Sequence, residues 1–511
     1  MDTATKERAG KVLSNTAFLK ELKEKLPEFF TNEGAFDLNK FKNQLQDENI
    51  KETIQGCQLM FVGKDYARKQ AGEKAASTVI PDQKQNKGEG AHSQNLFFTG
   101  DNLEVLKHLQ NKYWEKVDLI YIDPPYNTGK NEFIYPDQFD YTDSQLKKMF
   151  SLDEDQLHSL KSIQGSSSHS AWLTFMYPRL QLARNLLKQT GVIFISIGDT
   201  EDGNLREICD EIFGESNFLA QVVWERAYAP VNLRKNFSNS HEYLLVYGKD
   251  ASEVSTNGLP RTDKANSTYS NPDNDPRGPW RSNNMAVGPA VVDNIYPITI
   301  PSGRVVHPPA GRSWLYSKEN YQKKLADHRI WFGKNGNSIP RAKTYKSELK
   351  KTGMTPMTLW KYQEVGHSHS ATIYLQELMG GKKYFPYPKP VKLIQRVVQL
   401  YADKNATVLD FFAGSATTAE AVMQQNLEDQ GHRKFIMVQL PEKTYYLNEH
   451  GEKVPTNGGR DAFNDGYMSI DEIAQERIRR AAKKIKEENK TTLPKDFDGS
   501  FKHYWVVKPP K

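Results

Sequence analysis

The run Val117-Asp118-Leu119-Ile120-Tyr121-Ile122 ends on Asp123-Pro124-Pro125-Tyr126, and two consecutive prolines leave such a run few ways to continue. Proline has no N–H to give a sheet ladder, and it disfavours the helical region for the residue before it. A short apolar run bounded by breakers reads as a buried strand, so the chain must open at Asp123 into a rigid shelf. That shelf gathers a carboxylate, a proline-held backbone carbonyl and one aromatic face. The set suits an exocyclic amine such as that of adenine: carboxylate and carbonyl accept its two N–H groups while the ring stacks on the base. Taken alone, Asp-Pro-Pro would serve equally as an ordinary strand-ending turn.

A second motif lies far along the chain. Val408-Leu409-Asp410-Phe411-Phe412-Ala413-Gly414-Ser415-Ala416-Thr417-Thr418 reads as strand, tight turn, then helix. Small residues there let the backbone approach a ligand, and a helix N-terminus supplies free N–H donors. Lys434 to Gln439 reads as the next parallel strand. Nucleoside sites usually place an acid near such a strand end to hold ribose hydroxyls. Gln439 stands there instead, with Glu442 close behind.

With both motifs in this order, the chain resembles the amino-methyltransferases that use S-adenosylmethionine, in the permuted class where the catalytic tetrad precedes the cofactor loop. More narrowly it resembles the modification (Mod) subunits of type III restriction-modification systems, adenine-specific DNA methyltransferases. The resemblance runs over roughly residues 90 to 490 and rests on Gly100-Asp101-Asn102-Leu103, Tyr121 to Gly129, Pro388-Lys389-Pro390-Val391 and Asp410 to Ser415. It implies a doubly wound, Rossmann-like α/β sheet with an inserted target-recognition region and a small helical N-terminal segment. The catalytic residues would be Asp123, Pro124, Pro125 and Tyr126. Cofactor contacts would be Asp101, Phe385, Lys389, Asp410, Phe412, Ala413, Gly414, Ser415, Thr417 and Gln439, with Lys389 on the methionine carboxylate and Phe385 lining the adenosyl pocket. Ala416 departs from the family's usual glycine. No metal is expected for methyl transfer. Aspartate at the head of the tetrad favours adenine, since the cytosine-N4 enzymes more often carry serine there.

Between Glu225 and Lys351 there are 20 Lys/Arg against 11 Asp/Glu, a surplus suited to phosphate contact through counterion release. Arg226, Arg234, Lys235, Arg277, Arg281, Arg312, Arg341 and Lys343 are the candidate DNA contacts, with double-stranded DNA as partner. The whole chain of 511 residues carries only +6, too mild a charge to demonstrate a polyanionic partner by itself. Cys57 and Cys209 have neither disulfide nor zinc spacing, and neither adjoins the shelf. That argues against methylation at ring carbon, which needs a thiolate. With no signal pattern or long apolar stretch, a cytoplasmic location without membrane contact is the default.

The sequence divides into a helical N-terminal segment and linker (1–90), a catalytic half (91–248), a target-recognition region (249–360), a cofactor half (361–445) and a basic helix with tail (446–511). Residues near 64 to 95 read as a linker or mobile loop, and Asn127 to Ser170 as a lid over DNA or cofactor. The basic helix Ile470 to Glu488 reads as either solvated or contacting DNA or a second subunit. Arg179 and His241 read as structural. The chain has no Gly-x-x-x-x-Gly-Lys-Ser/Thr loop, so restriction would need an ATP-driven helicase-nuclease partner. A homodimer is implied by the resemblance. The competing readings are a solitary regulatory methyltransferase, a cytosine-N4 enzyme and a DNA-binding specificity subunit that has lost catalysis.

Overall fold

A computed structural model describes residues 22–30, 36, 59–61, 63–128, 169–230, 235–349 and 353–508. Most of the expected N-terminal helical segment and of the expected lid lies outside these residues, as do Arg234 and Cys57. The chain forms two compact units, one comprising residues 1–256 with 357–511 and the other Asn257–Pro356. The second unit falls inside the 249–360 stretch that the sequence division gives to target recognition.

The first unit is built on a ten-stranded sheet. In chain order its strands are β1 (Thr78–Pro81), β2 (Leu96–Thr99), β3 (Val117–Ile122), β4 (Leu187–Ile197), β5 (Phe218–Glu225), β6 (His241–Gly248), β7 (Leu359–Trp360), β8 (Thr407–Asp410), β9 (Lys434–Gln439) and β10 (Lys502–Val507). Their spatial order is β1-β10-β2-β9-β8-β3-β4-β6-β5-β7. From β10 to β4 all neighbours are parallel; β6 then runs antiparallel to β4 and β5. The principal helices are α1 (Lys64–Gly72), α2 (Asn102–Tyr113), α3 (His169–Leu186), α4 (Asp202–Phe213), α5 (Ser368–Leu378), α6 (Val391–Tyr401), α7 (Thr417–Asp429) and α8 (Ile470–Glu488). One group, α1 to α4, packs around α3, and a second joins α6, α7 and α8. This is the doubly wound α/β arrangement, in which parallel strands buried on both faces run apolar almost throughout. In β3 only Asp118 is not fully buried. Leu103, Leu106 and Leu109 of α2 point inward as their spacing requires.

Two stretches differ from their sequence reading. Residues 64–95 are ordered: Lys64 of α1 is buried and paired with Glu211 at 2.6 Å, and β1 pairs antiparallel with β10. The cause is long-range. His503 of β10 bonds Asp82 (3.0 Å) and Thr99 (2.9 Å), and Asn86 exchanges two hydrogen bonds with the His503 backbone. The partner that orders the polar stretch is thus some 400 residues away, and the first and last strands of the sheet pair with each other. The helix α8 buries more than its apolar stripe, because Arg477 lies inside with Ile470, Ile473, Ile478 and Ile485, while Lys483, Lys486 and Glu487 stay exposed. Among the described residues no helix is long and apolar enough to cross a membrane, no metal-binding cluster occurs, and the free Cys209 is buried.

The second unit holds a three-stranded antiparallel sheet of Ile330–Trp331, Arg341–Tyr345 and Trp280–Asn284. Its core gathers Met285, Tyr296, Ile298, Ile300, Trp314 and Tyr321. The helix Lys318–Ala326 starts at Ser317, whose hydroxyl accepts from Asn320 N, the usual device for an orphan N–H at a helix start.

Candidate active site

The two motifs of the sequence meet. β3 and β8 are adjacent parallel strands with Val408 opposite Leu119 and Leu409 opposite Ile120, so Asp123-Pro-Pro-Tyr126 and Phe411 to Ala416 leave the same sheet edge side by side. From this point β8 crosses over to β9 on one side and β3 to β4 on the other. Such a switch in direction opens a crevice at the carboxyl ends of the strands, where ligands of this architecture bind.

The shelf is braced from behind. Trp172 Nε1 donates to the Pro125 carbonyl at 2.7 Å. Asn127 takes a left-handed backbone conformation (φ 56°), tolerable for asparagine, and its amide donates to the buried Glu201 at 2.5 Å. In front lies a charged cluster. Tyr126 Oη stands 2.9 Å from Asp123 Oδ1 and 3.0 Å from Glu242 Oε2. Lys389 Nζ donates to Tyr126 Oη (2.9 Å), Asp123 Oδ1 (2.9 Å) and Glu242 Oε2 (3.2 Å). Burial raises the Asp123 pKa and the Glu242 charge adds to the rise, while Lys389 offsets part of it. Burial opposes the Lys389 charge, yet the two flanking carboxylates outweigh it and raise its pKa. A carboxylate made more basic by its surroundings is suited to receive a proton.

The loop between β8 and α7 is held from three directions. Asp410 accepts from Phe412 N (3.0 Å) and Thr418 Oγ1 (2.5 Å), but burial dominates these bonds and pushes its pKa up to about 7. The fully buried Gln439 accepts from Gly414 N at 2.7 Å and donates to the Leu440 carbonyl, so its amide supports the loop from below. Ser415 and Thr417 receive hydrogen bonds from Arg477 of α8 at 2.7 and 2.5 Å. Arg477 is ion-paired with Glu420 at 2.9 Å, both side chains 1% exposed. Ala416, fully buried, sits at φ 60°, a left-handed position that glycine would occupy without strain; the chain carries its departure from the family pattern as local backbone strain.

The residues that border the crevice fit a nucleoside-bearing ligand. The Phe385 ring lies over Gly414, where an added Cβ would come 3.3 Å from it on a backbone of φ +53°. Glu442, beyond β9, has both carboxylate oxygens buried with no hydrogen-bond partner, and burial pushes its pKa up to about 9. An unpaired buried carboxyl at this strand end suits the hydroxyls of a ribose. Asp101 caps α2 by accepting from Glu104 N (3.2 Å) while remaining half-exposed beside Arg179 (3.4 Å). Arg179 also donates to Asn102, and Asn102 to the Phe411 carbonyl, the structural role its sequence context indicated.

Two measurements follow from this geometry. Gly414→Leu forces a side chain onto Phe385 from a backbone region that leucine avoids, so cofactor affinity drops at least about tenfold, a change of roughly 1.4 kcal/mol; unchanged calorimetric affinity would contradict the placement. For Glu442, the folded state keeps a proton that the unfolded chain releases near the ordinary value of 4.5. Its effect on stability is therefore most favourable below that pH and is lost as pH rises towards about 9. Melting midpoints should fall between pH 6 and pH 9 in the native chain, and less steeply in Glu442→Gln.

The candidate DNA contacts separate by environment. Lys343 is no surface residue: it is buried and paired with Asp273 and with Asp275 (3.0 Å). A cation in the core of the second unit has its charge already used, so it leaves the candidate set. Arg277 pairs with Asp275 at 2.9 Å and Asp327 at 3.2 Å. Arg281, Arg312 and Arg341 are exposed on the second unit, and Lys235 is exposed on the first. Cross-strand register pairs Arg281 with Thr344 and Arg341 with Asn284, which sets the two arginines on opposite faces of the small sheet. Arg226 stands 3.3 Å from Glu242 Oε1, behind the catalytic cluster.

Three functional neighbours escaped the sequence reading: Glu242, the loop brace Arg477 and its partner Glu420. Glu420 stands between Ala419 and Ala421, and Arg477 shares a helical stripe with Ile473, Ala474 and Ala481. Charged residues are seldom buried unless paired, and that mismatch is the signal that could have found these two.

The chain matches the family model described as DNA methylase over residues 117–483. It is 43% identical to the Mod subunit of the type III restriction-modification enzyme StyLTI of Salmonella typhimurium, over 98% of this chain and 75% of that protein. It is 37% identical to the EcoPI Mod subunit of Escherichia phage P1, over 92% and 75% of the two chains. Against the EcoP15I Mod subunit of Escherichia coli it is 32% identical over 93% and 77%.

Proposed function

This chain belongs to the DNA methylase family of type III modification subunits and is an S-adenosylmethionine-dependent DNA methyltransferase; we propose that its target is the N6 amine of adenine in duplex DNA. The observation that carries the proposal is the Asp123 carboxylate standing on a proline-braced shelf beside the Phe411–Ala416 loop at one sheet edge. Extruding an adenine from the stack costs a few kcal/mol. Tyr126 then offers its ring to the base, and Asp123 with the Pro124 carbonyl accepts the two amine N–H groups. Those bonds draw the nitrogen lone pair out of conjugation and aim it. The bound cofactor supplies an electrophilic methyl group on a sulfonium. Asp410, Phe412, Ala413, Gly414, Ser415 and Thr417 form the wall that would hold it, with Phe385 over the loop, Asp101 at the rim and Glu442 on the ribose. Gln439 acts through Gly414. Lys389 lies within the catalytic cluster, and its role is to hold Asp123 rather than a cofactor carboxylate.

The second unit, with Arg281, Arg312 and Arg341 exposed, is proposed as the target-reading part. We propose that the chain works in the cytoplasm as a homodimer and, as its relatives are named Mod subunits of type III restriction-modification enzymes, joins a separate ATP-driven nuclease polypeptide for restriction. Incubation of duplex DNA with methyl-labelled cofactor, followed by nucleoside analysis, tests the base assignment. N6-methyldeoxyadenosine is expected; label found only on cytosine N4 would overturn it.

A further inference from the structure

We propose that Glu242 is the final acceptor of the proton released by methyl transfer, and that the Tyr126 hydroxyl passes it there from Asp123. The inference rests on Asp123 being the group that accepts the target amine. An amine methylated on its own lone pair carries one proton too many, and with a base seated over Asp123, whose side chain is 27% exposed in the open crevice, that proton needs a route other than directly into water.

The hydrogen count in the cluster shows where it goes. Five contacts of 2.9 to 3.2 Å join four groups: Lys389 to Tyr126, Asp123 and Glu242, and Tyr126 to Asp123 and Glu242. Lysine brings three hydrogens and tyrosine one. Four hydrogens cannot fill five contacts, so one contact between Tyr126 and a carboxylate lacks its proton. The open contact lets the Tyr126 hydroxyl donate to one carboxylate while its oxygen accepts from the other.

The transfer balances. The N–H bond of the methylated amine breaks, its electron pair stays on nitrogen, and an O–H bond forms on Asp123. The Asp123 proton moves to the Tyr126 oxygen as the tyrosine's own hydrogen moves to Glu242 Oε2. Asp123 is again ionised and Tyr126 unchanged, while Glu242 is the neutral acid. An exit runs along Arg226: its Nε, 3.3 Å from Glu242 Oε1, is buried, and the side chain as a whole is 35% exposed.

Single-turnover methylation on an adenine-containing duplex, with wild type, Glu242→Gln and Tyr126→Phe, tests this. Gln keeps the volume of Glu242, and Phe keeps the stacking ring. The chemical step should slow at least about 100-fold in both variants, the usual size of a lost general-base path. DNA and cofactor affinities should stay within about threefold, because uniform binding is untouched, and 2-aminopurine fluorescence at the target should still report extrusion. Glu242→Asp should recover part of the rate. A Gln variant at the wild-type rate overturns the proposal. So does a loss that appears in affinity or extrusion instead of the chemical step, since Glu242 would then only be holding Lys389. Failure of wild type to methylate any adenine duplex strikes the N6-adenine reading itself.

Discussion

Asp123→Ala loses methyl transfer by at least about a thousandfold, within the span expected when a positioned acid–base group is removed, while the chain stays folded and binds DNA nearly as before. The stability half follows from the charges around it. Removing Asp123 leaves Glu242 between Lys389 at 3.2 Å and Arg226 at 3.3 Å, so the buried Lys389 keeps a carboxylate partner and is not stranded. Burial and the Glu242 charge both raise the Asp123 pKa, which means the folded chain holds this carboxylate at a cost. Relief of that cost predicts a melting temperature equal to or slightly above that of the native chain, the common exchange between activity and stability at a functional site. Asp123→Asn separates the two duties of the carboxylate: it can still accept one amine hydrogen but takes up no proton, so its rate should stay far below wild type. Tritiated methyl incorporation together with a thermal melt checks both halves. Retained turnover would contradict the assigned role, and a large drop in melting temperature would show Asp123 to be structural.

What could be read from the sequence was what local pattern determines. The β3 run, the α2 helix with Leu103, Leu106 and Leu109 inward, and the strand-turn-helix around Gly414 all declare themselves through periodicity and breakers. The meeting of β3 and β8 was expected from the order of the motifs, and the register of Leu409 with Ile120 bears it out. What stayed hidden depends on distant partners. Thr78–Pro81 is four residues inside a polar stretch, and it becomes a strand only because Lys502–Val507 is there to pair with it. The contact of Lys389 with Asp123 joins residues 266 positions apart, and the resemblance, which set Lys389 on the methionine carboxylate, carried no sign of it. Arg477 stands on the same stripe as Ile470, Ala474 and Ala481 at helical spacing; counted with the basic face of α8, it looked solvated.

Arg477→Met lowers stability by about 3–5 kcal/mol, the range for breaking a buried ion pair from one side. The number is large because of what remains behind. Glu420, 1% exposed, would keep only Tyr374 and Gln424 (3.2 Å) as donors on its other oxygen, and a charge in that position has no water to turn to. The loop suffers as well, since Ser415 and Thr417 lose the guanidinium that fixes them, so cofactor affinity should fall together with the denaturation midpoint. Pairing the change with Glu420→Gln discriminates between the two effects. If the cost comes from the stranded carboxylate, the double variant recovers most of the stability, a coupling of the kind that contacting residues show. Cofactor affinity should not recover with it, because neither substitution restores the bonds to Ser415 and Thr417. Urea midpoints and calorimetry on the four chains of the cycle measure both quantities. A single variant as stable as wild type would mean that water reaches Glu420, and a double variant that regains affinity would remove the brace from any part in holding the cofactor loop.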